Sequence, residues 1–251
     1  MPVEFGRRLS GATRSHRSNH LLGVVLAFVA GATNAGAFLA VRQYTSHMTG
    51  MLSSVADALA LGEWDIVLSA FGAIVSFAAG AAVCAVLINF GRRRQWHSVF
   101  ATPLLLEAVL MLVFGLLGAR LARLESIFVP ATVSLLCFMM GLQNAVITKV
   151  SRAEIRTTHI TGMITDIGIE LGKLVYMNRR SANEVPPVVA DRERMRILSS
   201  LLLAFFGGGV AGAIAFQSMG YAATIPLALT LGGVSAVPVF DDLTARVANS
   251  A

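Results

Sequence analysis

The chain has 251 residues, 55% of them hydrophobic and only 14% charged, with a mean hydropathy of +0.70. A soluble domain carries roughly 25% charged residues, so this composition excludes a water-covered globule and points to a surface that faces lipid. The net charge of +6 does not point to nucleic acid, because the Lys and Arg residues lie between apolar runs instead of forming one patch, as membrane topology requires.

Residues 1–19 form a basic N-terminal arm with Arg7, Arg8, Arg14 and Arg17. Residues 21–41 are nearly charge-free and long enough to span a bilayer. The run continues too far beyond Ala30-Gly31-Ala32 to be a cleaved leader. A short apolar stretch, 49–61, follows; at about 1.5 Å per residue its helix reaches about half-way through a membrane. Full spans are expected over 66–90 and 99–119, and after a short loop with Arg120 and Arg123 over 127–148. A second short apolar segment covers 161–176, residues 177–195 form a hydrophilic loop, and spans over 197–217 and 221–240 precede a tail, 241–251. Gly72, Ser76, Gly80 and Cys84 lie at four-residue spacing and form one small face suited to close helix contact. Gly207-Gly208-Gly209 and Gly212 form either such a face or a flexible point. Cys84 and Cys137 sit in apolar runs without ligand spacing around them and read as packing residues.

The polar interruptions carry the functional signal. Residues 45–51 read Thr-Ser-His-Met-Thr-Gly-Met and residues 157–163 read Thr-Thr-His-Ile-Thr-Gly-Met, 112 positions apart, with five identities. Upstream of each stands an Asn-Ala pair, Asn34-Ala35 and Asn144-Ala145. If the two short segments re-enter the membrane and return, the chain crosses six times, and seventeen of its twenty Lys and Arg residues share one side with both termini. Were the short segments to cross, the N-terminal arm and the Arg92–Arg94 loop would fall on opposite faces. The positive-inside rule therefore predicts re-entry, with both ends cytoplasmic. Each unit then holds three crossings, an odd number, so the second (127–240) is inverted relative to the first (20–119). The expected fold is an all-α polytopic membrane protein with six transmembrane helices and two re-entrant half-helices, arranged as a 3+3 inverted repeat.

In that geometry about six residues of extended chain would descend roughly 20 Å into the membrane before each half-helix begins. Half-helix N-termini present free N–H groups and partial positive charge, which favour anions or oxygen acceptors. Thr49 and Thr161 are the expected caps, Gly50 and Gly162 allow close approach to the backbone, and His47 and His159 can donate hydrogen bonds or titrate. With Asn34 and Asn144 these make up the candidate binding residues. Taken singly each has a structural reading, since Asn and His in membrane helices often bridge helices; the duplicated conjunction is what carries the assignment. Glu107, Asp166, Arg42 and Arg156 are candidates for coupling or charge, whereas Glu170 reads as a partner of Lys173. No enzyme constellation, metal-ligand spacing or cofactor motif is present in the sequence.

The segments Asn34-Ala35 … His47-Met48-Thr49-Gly50 and Gly141-Leu142-Gln143-Asn144-Ala145 … Arg156-Thr157-Thr158-His159-Ile160-Thr161-Gly162 resemble the YoaK-like family of bacterial multi-pass membrane proteins, the domain of unknown function numbered 1275. The likeness runs from about residue 20 to 240. In that family an Asp is common where Asn34 stands and an Asn where Met51 stands. The resemblance implies a bacterial inner-membrane location and a small-molecule transporter. The expected activity is transport of a small anionic or oxygen-rich solute held between the two half-helix N-termini. The alternatives are a channel with the same site, or a non-transporting sensor or assembly partner in which the heptads are a packing device. Expected partners are the bilayer, the solute and, compatibly with this composition, a second copy of the chain.

Overall fold

The computed structural model describes residues 16–121, 125–151, 157–177 and 187–250. The first helix, α1 (His16–Val41), is followed by a short one, α2 (Met48–Leu61), and then by α3 (Trp64–Arg93) and α4 (Ala101–Leu121). The same long-short-long-long order recurs in α5 (Glu125–Val150), α6 (Ile160–Val175), α7 (Arg192–Met219) and α8 (Thr224–Ser250). Among the described residues, five helical stretches are long and apolar enough to cross a membrane: His16–Val41, Trp64–Arg93, Ala101–Ala119, Val129–Val150 and Arg192–Phe240. The last is 49 residues long, about twice what a bilayer needs. It is broken where Gly220 adopts φ 57, ψ −139 and a 3₁₀ turn, Gly220–Ala223, separates α7 from α8. The fold is that of a helical multi-pass membrane protein.

The helices overrun the apolar runs from which spans were expected, because a helix satisfies its backbone internally and can continue into the polar interface. At the start of α1, His20 lies 2.6 Å from Ser200 Oγ of α7. The overrun is largest at the C-terminus, where the stretch expected as a tail is helical to Ser250. There Asp242 accepts hydrogen bonds from the backbone N–H groups of His97 (3.1 Å) and Ser98 (2.8 Å) and from the Ser98 hydroxyl (2.6 Å), tying α8 to the turn before α4. Burial pushes the Asp242 carboxyl upward, but the Ser98 and His97 hydrogen bonds outweigh it, and its pKa falls below the ordinary value of 3.8.

The most extensive helix pairings are α1 with α7, α3 with α5, and α4 with α8; α1 also touches α5. The apolar windows of α1 and of α5 are each 61% buried, against 22% for α3 and for the α7–α8 stretch. So α1 and α5 form the centre, while the outer helices direct Leu68, Phe71, Val86, Leu203, Ile214 and Leu229 outward, as helices facing lipid do.

Lipid offers these helices no hydrophobic drive to associate, so close backbone approach must hold them. Glycines at the helix crossings supply it. A β-carbon on Gly31 would overlap the Phe205 carbonyl oxygen, and one on Gly208 the Phe28 carbonyl oxygen, at the α1–α7 crossing. At the α3–α5 crossing, Gly141 meets the Phe77 carbonyl and Gly80 the Phe138 carbonyl in the same way. Gly31 and Gly141, like Phe28 and Phe138, are 110 positions apart; Phe77 and Phe205, like Gly80 and Gly208, are 128 apart. The two crossings are thus one contact written twice. Around Gly207–Gly212 the helix is continuous, and Gly208 and Gly212 press on α1, so this is a packing face and not a flexible point. The face at 72, 76, 80 and 84 is engaged only in its second half: Gly80 and Cys84 are buried, whereas a β-carbon on Gly72 would meet nothing within 4 Å.

Gly80→Leu and Gly141→Leu are each expected to destabilise the protein by about 1–3 kcal/mol through overpacking, with Gly72→Leu near neutral; thermal melting in detergent measures all three. Asp242→Asn is expected to cost about 2 kcal/mol through its lost charged acceptor. A depressed carboxyl stabilises the fold above its unfolded value and loses that contribution as pH falls through its folded one. The difference between wild type and Asp242→Asn should therefore hold steady at neutral pH and shrink only below pH 3.8.

Candidate functional site

The linker between α1 and α2 begins at Arg42, whose φ of 57 ends α1 while its N–H still reaches the Phe38 carbonyl at 3.0 Å. Its guanidinium lies over the Phe38 ring at 5.8 Å, and Tyr44 stacks on the same ring at 4.9 Å. The His47 N–H then closes a turn onto the Tyr44 carbonyl at 3.3 Å. These turns replace the extended descent expected from sequence: a left-handed residue followed by a turn folds the chain back on itself.

Both short helices start on a histidine. His47 (φ −92, ψ 66) is the N-cap of α2 and His159 (φ −85, ψ 56) that of α6. Their carbonyls accept the first helical hydrogen bonds, from Met51 N–H at 3.1 Å and Met163 N–H at 3.0 Å. Thr49 and Thr161, expected to be the caps, lie two residues past them, at the second position of each helix. Neither His side chain caps the helix; each ring folds back over the glycine three residues on. A β-carbon at Gly50 would overlap the His47 ring, and one at Gly162 the His159 ring. The conserved spacing His-x-x-Gly within the two heptads thus makes room for the imidazole, not for a ligand against the backbone.

The upstream asparagines hold the linkers. Asn34 Nδ2 donates to Ser46 Oγ at 2.6 Å, and the Thr158 hydroxyl donates to Asn144 Oδ1 at 2.7 Å. Asn144 also donates to the Met140 carbonyl at 2.8 Å. In each half the asparagine therefore fixes the hydroxyl residue just before the histidine. The preceding Thr45 and Thr157 are fully buried.

Both halves line one cavity of about 1000 Å³. Asn34, Ser46, His47 and Thr49 come to it from the first, and Asn144, Thr158, His159 and Thr161 from the second, with Phe77 and Phe205 on its walls. Among the described residues that line it, none is Asp, Glu, Lys or Arg. Its polarity comes from hydroxyls, amides, two imidazoles and the first turns of two helices. Gly50 and Gly162 do not line it, for the reason given above. Ser46, Thr158 and Thr148 do, although only the repeated heptad itself pointed toward the first two.

Of the four charge candidates, Arg42, Glu107 and Asp166 do not line the cavity. Arg42 is occupied at the end of α1, and Arg156 lies outside the described residues. Glu107 is wholly buried in α4, with neither carboxyl oxygen partnered among the described residues, and it does not line the cavity. Asp166 pairs with Arg194 of α7 at 2.9 Å. Glu170 accepts from Lys173 Nζ at 2.8 Å and from the Asp191 N–H at 2.7 Å; led by the Lys173 contact, these hold its carboxyl below the usual range. No cluster of three metal-ligating side chains occurs among the described residues.

The sequence profile of a family described as a protein of unknown function, DUF1275, matches residues 22–237, a stretch that contains both heptads, both asparagines and the whole cavity wall. The chain belongs to the DUF1275 family. No curated protein and no solved structure matches it. In this DUF1275 protein the cavity is therefore defined by its own residues, and the placement of the histidine rings can be tested directly. Gly162→Ala is expected to displace the His159 ring and shift its signals in histidine-selective ¹⁵N NMR. Gly168→Ala, where a β-carbon would meet nothing within 4 Å, should leave them in place.

Proposed function

We propose that this DUF1275 protein is a carrier of the bacterial inner membrane, built as a 3+3 inverted repeat with six crossings and cytoplasmic termini. It would bind a small, oxygen-rich solute, neutral or anionic, near the bilayer midplane. The observation that carries the reading is that two heptads written 112 positions apart contribute matching residues to one cavity. The inverted arrangement draws support from the paired glycine–carbonyl crossings, and the topology from the seventeen basic residues that fall on one side under re-entry. Inverted repeats whose interrupted helices end at a shared site are a recurrent design for alternating access.

The solute class follows from the lining. Two helix N-termini supply partial positive charge of about half an elementary charge each, and the Asn, Ser, Thr and His side chains supply donors. The described residues of the wall carry no fixed cation or anion, so the donors they offer suit a neutral or singly charged ligand. The aromatic rings of Phe77 and Phe205 give the same site an apolar face.

Purified protein in proteoliposomes, screened with radiolabelled sugars, small carboxylates and amides, tests the proposal. Once a flux is found, His47→Ala with His159→Ala is expected to lower it by at least about tenfold, the scale of one lost buried hydrogen bond per site. An unchanged flux would remove the histidines from the site. Currents far beyond carrier turnover would replace the carrier with a channel.

A further inference from the structure

A second cavity of about 410 Å³ lies between α2 and α3. Tyr44 and His47 line both cavities, so the two meet at those side chains. The rest of the smaller cavity's wall includes Ser54 from α2 and Asp65, Ile66 and Ser69 from α3. The repeat offsets carry each of these positions to the other half of the chain. The 112-residue offset of the heptads takes Ser54 to Asp166, and the 128-residue offset of the glycine crossings takes Ile66 to Arg194. Those two residues form an ion pair, Arg194 Nη2 to Asp166 Oδ2 at 2.9 Å. Where the first half leaves a space between its short helix and the next long one, the second half bridges the corresponding positions.

The bridge has support on both sides. One turn along α6, the buried Glu170 carboxylate accepts from the Asp191 N–H. Asp191 in turn caps α7 by accepting from the Arg194 N–H at 2.9 Å. Two successive turns of α6 thereby hold the first turn of α7. The equivalent positions of the first half, Ser54 of α2 and Ile66 of α3, both line the second cavity and have no charges with which to form such a link.

Resting on the carrier reading above, we propose that the second cavity is the outer vestibule of the solute path, and that the Asp166–Arg194 pair is the latch that closes its cytoplasmic counterpart. The structure is then the outward-facing state. The latch is exposed, with 55% of the Arg194 side chain and 38% of the Asp166 side chain accessible. Ion pairs in such surroundings contribute little, which suits a contact that must open and close once per cycle. Asp65 is the one fixed charge among the vestibule's lining residues. A carboxylate at the mouth opposes multiply charged anions and narrows the solute to a neutral or singly charged, oxygen-rich molecule.

The test reads accessibility and not transport. Thr161→Cys is placed in a chain whose buried Cys84 and Cys137 are replaced by Ala, and oriented proteoliposomes are labelled from either side with a membrane-impermeant maleimide. The parent is expected to label from the outer side. Arg194→Gln should raise cytoplasmic-side labelling by at least about fivefold and lower outer labelling, as a population shift requires. Arg194→Lys and the charge reversal Asp166→Arg with Arg194→Asp should restore the parent pattern, which separates a lost latch from a lost fold. Cytoplasmic labelling already dominant in the parent, or unmoved by Arg194→Gln, overturns the latch. Accessibility that shifts in a protein without any solute flux would keep the latch and remove the carrier; a flux with fixed accessibility would do the reverse.

Discussion

Backbone that leaves helical geometry in a protein bounded by lipid must find its hydrogen-bond partners in protein or in enclosed water, and that constraint organises this molecule. One linker follows α1 and another follows α5. Each is held at the same point by an asparagine bonded to the hydroxyl residue before a histidine cap. The central placement of α1 and α5 follows from this: only helices surrounded by others can bring Asn34 and Asn144 to a linker sheltered from lipid. Model membrane systems value such a hydrogen bond at about 0.6–2 kcal/mol. Its larger effect is positional, because it sets the direction in which each short helix, and so each imidazole, is presented to the cavity.

The glycine crossings solve the other half of the problem. A cavity of about 1000 Å³ between apolar helices would collapse or fill with lipid unless its walls were fixed elsewhere. The contacts of Gly31 and Gly208 across α1 and α7, and of Gly80 and Gly141 across α3 and α5, clamp those walls at backbone distance. Phe77 and Phe205 belong to both systems: their carbonyls receive the glycines while both residues also line the cavity. Packing and site are thus coupled through two residues. A change in either crossing would be felt in the cavity.

Much of this was legible in the sequence, for identifiable reasons. Hydropathy located the apolar runs, since lipid imposes its composition over some twenty residues at a time. The repeated heptads pointed to the cavity wall, because a polar motif written twice between apolar runs stands out from them. The asparagine pair was also visible, though the sequence offered no way to learn that its partners were Ser46 and Thr158. Cap positions were misplaced by two residues, since a Thr is a strong capping residue, whereas the choice of His47 follows from the linker turn that its N–H closes onto Tyr44. The purpose of Gly50 and Gly162 was hidden too, because a glycine's need for space reveals nothing about which side chain fills it. The four phenylalanines at offsets of 110 and 128 were readable in principle; they lie inside apolar runs, where an aromatic residue attracts no notice.

Exact internal symmetry would make a poor carrier, because both mouths of the cavity would then open and close alike in one conformation. The positions that keep the two halves alike are the asparagines, the histidines and the crossing glycines, all of which touch the cavity or fix its walls. Two positions at which they differ, Ser54 against Asp166 and Ile66 against Arg194, lie away from the central cavity on the faces between a short helix and its neighbour. The central wall itself is repeated only approximately, with Ser46 answered by Thr158 and Met48 by Ile160. In a carrier of the proposed kind, unequal short-helix faces would change how tightly each mouth is held, and the free-energy difference between the two facing states must stay small enough for solute binding to reverse it.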